Sequence, residues 1–189
     1  MPRVQVLALV TLLLVPASPV VPEVAAQQVI ESNTARRDRD VIFVPTRTPV
    51  AEAMMNLANV TDKDVVYDLG CGDGALVIAA ARRGARVVGV DIDPERIKEA
   101  TEKVRVAGVG DRVTLIRGDI FDPAIKIGEA SVVTLYLLQS LNEKLAPRLK
   151  SELKPGSRVV SHAFTMGESW PPEKTQTVES TAVYLWTIK

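Results

Sequence analysis

Val65-Val66-Tyr67-Asp68-Leu69-Gly70-Cys71-Gly72-Asp73-Gly74 is the stretch that decides the fold. Its first half is a short apolar run with the length of a buried strand, and it passes directly into three alternating glycines. Behind them Ala75 to Ala81 is apolar and Ala-rich, a helix-favouring segment. Strand, glycine turn and helix in that order open a βαβ unit, and glycine there lets the backbone turn sharply and approach a ligand with no Cβ in the way.

The same alternation continues outward. Residues 86–91, 112–117, 131–138 and 157–163 are Val-, Ile- and Leu-rich runs that read as further strands, and helical patterns are expected near residues 50–59, 74–83, 94–107 and 140–153. Near-continuous apolar strands separated by helices predict a parallel sheet covered on both faces. Residues 175–179 and 181–188 break the rhythm, with no room for a helix between them, and predict a terminal hairpin. The expected fold class is therefore α/β: a doubly wound, mostly parallel seven-stranded sheet with helices on both faces and a C-terminal antiparallel hairpin.

Carboxylates stand at the ends of three of these strands. Dinucleotide enzymes space their glycines G-x-G-x-x-G around a pyrophosphate, whereas here the spacing is G-x-G-x-G with Asp68 and Asp73 beside it. Negative charge there repels a pyrophosphate and suits a cationic ligand. The next strand ends in Asp91, followed by Ile92, at the distance where a carboxylate accepts the hydrogen bonds of a ribose diol. The third ends in Gly118-Asp119-Ile120, an acid for an exocyclic amine and an apolar side chain for a ring face. Asp93, directly before Pro94, reads as a helix N-cap.

The segments DLGCGDG, GVDIDPE and RGDIFD resemble the nucleotide-binding motifs of class I (Rossmann-like) methyltransferases, over residues 41–189. The resemblance implies S-adenosyl-L-methionine as cofactor. It implies Asp68, Gly70 and Gly72, with Asp73 and Gly74 of the same turn, at the methionine end. Asp91 and Ile92 would meet the ribose, and Asp119 with Ile120 the adenine. A closer likeness runs through Val44-Pro45-Thr46, LAPRLKSELKPG (145–156), Arg158-Val159-Val160-Ser161, Trp170-Pro171 and Val183-Tyr184-Leu185-Trp186. These are similar to the small lysine methyltransferases related to the ATP synthase c-subunit lysine methyltransferase, which implies lysines of membrane-embedded proteins as acceptors.

Enzymes that methylate planar nitrogens carry an Asp/Asn-Pro-Pro-aromatic tetrad after the fourth strand, where this chain has Thr134-Leu135-Tyr136-Leu137. That substitution argues against a base or amide acceptor. Tyr136 is expected to line the acceptor channel, His162 to accept or relay a proton, and Trp170 to stack on a lysine stem or cover the sheet edge. The alternative acceptor is a small molecule: a thiol, halide, metalloid or amine.

Length and composition bound the rest. The 189 residues suffice for one domain, and 23 Lys plus Arg against 23 Asp plus Glu give no field that draws nucleic acid. One cysteine, Cys71, and one histidine provide no zinc spacing, so no metal is expected. Residues 1–26 combine Arg3, an apolar run 4–15, three prolines and Val24-Ala25-Ala26, and read as a signal peptide directing secretion or periplasmic export. The alternative is a membrane anchor through residues 4–21. Residues 27–40 are polar and read as a linker before the methyltransferase domain at 41–189.

Overall fold

The computed structural model describes residues 28–31 and 43–189. The expected leader and most of the expected linker lie outside the described residues. Strands β1 (Gln28–Glu31), β2 (Val65–Leu69), β3 (Arg86–Asp91), β4 (Val113–Arg117), β5 (Val132–Leu135), β6 (Arg158–His162), β7 (Lys174–Val178) and β8 (Thr181–Thr187) form one sheet in the order β1-β4-β3-β2-β5-β6-β8-β7. Pairing is parallel from β1 through β6 and antiparallel at β6–β8 and β7–β8. All seven expected strands are present. The eighth, β1, comes from the segment read as linker and pairs with β4 at the sheet edge.

The helices are α1 (Thr48–Leu57), α2 (Ala75–Ala81), α3 (Pro94–Ala107) and α4 (Gln139–Glu152). Alternate strand residues divide the core in two, as the pleat requires. Val66, Val87, Leu115, Val132 and Val160 pack with α1, α2 and α3. Their sequence neighbours Tyr67, Val88, Val133 and Val159 face α4 and the connection carrying Ile125 and Ile127. Helix α3 has the limits its sequence predicts: the Asp93 carboxylate accepts from Glu95 N–H at 3.0 Å and Gly108 closes the helix at φ 68°. Among the described residues, no helix is long and apolar enough to cross a membrane.

Two features position the site, the first of them a difference from expectation. Strand β5 ends at Leu135, so Tyr136, Leu137 and Leu138 leave the sheet instead of extending it. Strand order also reverses at β2, which has β3 on one side and β5 on the other. The crevice outside the carboxyl ends of strands at such a reversal is where open α/β sheets bind ligands.

Candidate active site

The glycine turn leaves β2 at that crevice. Gly70 and Cys71 N–H both donate to the Val90 carbonyl, at 2.8 and 2.9 Å, and tie the turn to the end of β3. Gly72 has φ 52°, and a Cβ on it would lie 2.4 Å from Phe43 Cε2, so the packing and the backbone both require glycine. Its N–H donates to Asp91 Oδ2 at 2.8 Å, while Asp91 Oδ1 accepts from Asp93 N–H at 2.9 Å. One carboxylate thus joins the turn, β3 and the start of α3. Gly74, at φ 83°, begins α2.

Around this turn lies a cavity of about 250 Å³ whose wall includes Asp68, Gly70, Asp73, Asp91, Asp119 and Tyr136. Ile92 and Ile120 also line it, and Gly72 and Gly74 complete the turn beside it. Asp68 is 1% exposed; its Oδ1 accepts from Thr134 Oγ1 at 2.6 Å and its buried Oδ2 has no partner among the described residues. Burial pushes its carboxyl up to about 7; the Thr134 hydroxyl works against that shift, and the charges of Asp91 and Asp73 add to it. Burial likewise raises Asp91, against the pull of the Asp93 and Gly72 amides. The buried Cys71 thiol is pushed well above its ordinary value by desolvation and by Asp68 and Asp91, which makes it a poor nucleophile. Asp73, in the cavity wall, also pairs through its Oδ2 with Lys103 and so ties the turn to α3.

At the next strand end, Asp119 Oδ1 accepts from Phe121 N–H at 2.9 Å and holds the bend that brings Ile120 into the wall. Arg148 of α4 fixes this loop from behind by donating to the Ile120 carbonyl at 2.6 Å and to the Ile125 carbonyl. The far side is apolar, built by Tyr136, Leu137, Leu138, Leu141 and Phe164.

Two sequence-based candidates do not line the cavity. His162 packs on Tyr136, ring centres 3.8 Å apart and planes tilted by 34°, with its Nδ1 buried and unpartnered among the described residues; burial, and then Arg47, lower its pKa. It supports Tyr136. Trp170 is a clearer correction: its ring packs 5.9 Å from Trp186 under Lys150, and its carbonyl accepts from Trp186 Nε1–H at 2.9 Å. The pull of a second tryptophan on the α4 face takes it away from the cavity. Sequence reasoning missed Phe43, Arg96 and Phe164, which do line it. Phe43 had a signal, since it directly precedes the quoted Val44-Pro45-Thr46; its ring lies 4.6 Å under the Arg96 guanidinium.

These residues fit a cationic nucleoside. The orphaned buried Asp68 oxygen calls for a positive donor, and Arg96, the one Arg or Lys in the wall among the described residues, is itself engaged by Glu99 at 2.9 Å, so those residues offer no cradle for a pyrophosphate. Among the described residues, no cluster of His, Cys, Asp and Glu could hold a metal ion.

Known proteins agree with this geometry. Residues 68–174 match the model of the ANTKMT methyltransferase domain. A protein-lysine N-methyltransferase of Saccharolobus islandicus is 44% identical over 78% of this chain and 94% of its own length. A crystal structure of an RNA methyltransferase from Salinibacter ruber, in complex with S-adenosyl-L-homocysteine, is 51% identical. It covers 77% of this chain and 94% of its own, with TM-score 0.73. A probable cobalt-precorrin-6B C(15)-methyltransferase of Methanothermobacter thermautotrophicus is 31% identical over 65% of this chain and 64% of its own length. The chain belongs to the ANTKMT methyltransferase domain family and is an S-adenosylmethionine-dependent methyltransferase.

Proposed function

We propose that this enzyme methylates the ε-amine of a protein lysine. In this reading the unpartnered Asp68 oxygen meets the methionyl ammonium, Asp91 accepts from the ribose hydroxyls with its remaining lone pairs, and Asp119 with Ile120 receives the adenine. Gly70 and Gly72 let the backbone come close. The bound cofactor supplies a methyl carbon already activated by a sulfonium. The chain's own task is to align an amine with that carbon and to keep water away.

The observation that carries the lysine reading is the apolar exit from β5. Tyr136, Leu137 and Leu138 stand where carbonyl-bearing side chains would hold a base or an amide, and Thr134 spends its hydroxyl on Asp68. Such a wall suits an aliphatic stem. It also favours the neutral amine: deprotonating a lysine of ordinary pKa, about 10.4, costs roughly 4 to 5 kcal/mol at pH 7, and entry into an apolar port lowers that cost. The name of the Saccharolobus relative supports this reading. That of the Salinibacter structure points to RNA, against which stand the missing tetrad and the balanced charge.

The test is transfer of labelled methyl from S-adenosylmethionine into a cell extract divided into protein, RNA and small-molecule fractions. Acid hydrolysis of the protein fraction is expected to release labelled methyllysine. Label that disappears with ribonuclease, or that stays in the small-molecule fraction, overturns the lysine assignment in favour of RNA or a small acceptor.

A further inference from the structure

We propose that Phe164 positions the methyl acceptor, and that a strained turn at Ala163 together with the buried Asn142 exists to hold it there. The proposal rests on the reading that the acceptor enters along the Tyr136 wall.

Strand β6 ends at His162, and the next residue, Ala163, has φ 65°, in the left-handed region that an L side chain with a Cβ resists. Phe164 N–H donates to the His162 carbonyl at 2.8 Å, closing a three-residue γ-turn of the rare, strained hand. Strain of this kind persists only where the surroundings over-determine it, and here they do. Ala163 N–H donates to the Ala182 carbonyl at 2.8 Å, and Ser161 Oγ donates to the Phe164 carbonyl at 2.7 Å. From α4 the fully buried Asn142 directs Nδ2 to Ser161 Oγ and to the carbonyls of Phe164 and Thr165, each at 3.3 Å.

The paired register of β6 and β8 runs to His162 and Val183, and the Ala163 N–H adds one further bond to β8 at Ala182 before the chain turns away. What the turn achieves is to bring Phe164 into the cavity wall, its ring centre 6.5 Å from that of Tyr136 and the planes 26° apart. His162 packs against the other ring of this pair, Tyr136, with the planes tilted by 34°. Two nearly parallel aromatic faces at the apolar end present a flat surface to a methylene stem and a π face to an ammonium before it loses its proton.

The experiment uses the full chain, with S-adenosylhomocysteine binding followed by calorimetry and methyl transfer measured on a concentration series of the extract fraction that carries the label. Phe164→Ala is expected to raise the acceptor KM at least tenfold while S-adenosylhomocysteine affinity stays within twofold. Phe164→Tyr, which keeps the flat ring, should restore the wild-type KM. Asn142→Ala should show the same split to a smaller extent. If Phe164→Ala fails to fold, Phe164→Leu is read instead and should also raise the acceptor KM. An acceptor KM within twofold of wild type in these Phe164 variants, or a parallel loss of cofactor affinity, overturns the proposal. Since KM is read on whichever fraction is labelled, the result stands apart from whether that label proves to be methyllysine.

Discussion

Asp68 carries the chemistry of the site at the scale of one residue. Its carboxyl is raised from 3.8 to about 7 by burial first and by Asp91 and Asp73 after the opposing Thr134 bond. Well below pH 3.8 the group is protonated whether the chain is folded or not. As pH climbs toward about 7 the unfolded chain ionises it freely while the fold resists, so this residue withdraws stability from the ligand-free enzyme across that window, by about 4 kcal/mol at most. A cationic ligand reverses the preference. Cofactor affinity should therefore fall as pH is lowered through 7, and binding at pH 6 should release a proton, visible as a calorimetric heat that depends on the buffer's ionisation enthalpy. In Asp68→Asn both dependences should flatten; a variant that keeps the wild-type pH profile would remove Asp68 from the ligand contact.

Among the secondary-structure elements, what was legible in the sequence is what local chemistry dictates. The Val-rich strands at Val65–Leu69 and Arg86–Asp91 and the helix at Pro94–Ala107, with its Asp93 cap and Gly108 stop, have the limits read for them. The glycine turn and the strand-end acids were readable for the same reason, since each has its own local signature. Apolarity misled at Tyr136 to Leu138 because it reports burial and not pairing, and those residues are needed to wall the cavity. Phe164 was hidden, because an alanine at positive φ leaves no trace in composition. Trp170 misled because its partner Trp186 is distant in sequence and meets it only once β8 is in the sheet. Trp170→Ala should accordingly lower stability by about 1 to 3 kcal/mol, read from denaturant unfolding, and leave kcat and both KM values unchanged. A fall in kcat with unaltered stability would return Trp170 to the active site.

For the molecule as a whole, the sheet sets one reversal of strand order beside one cavity, and the N-terminal segment adds β1 to the far edge. The reading of residues 1–26 as an export signal or anchor stands as a proposal with its own test. Full-length protein expressed in its native host should yield a mature N-terminus at Gln27 if the segment is cleaved, and an intact, alkali-resistant membrane protein if it is an anchor. A soluble chain retaining Met1 would dismiss both. Strand β1 gives that choice a timetable. Its first residue, Gln28, is one residue past Gln27, so the expected scissile bond lies within roughly 7 Å of chain from the sheet. A peptidase that must thread an extended segment through its cleft meets that bond only while the edge strand is still loose. Under that proposal cutting and zipping would compete for the same residues, and the faster of the two would decide whether the leading segment is removed or kept.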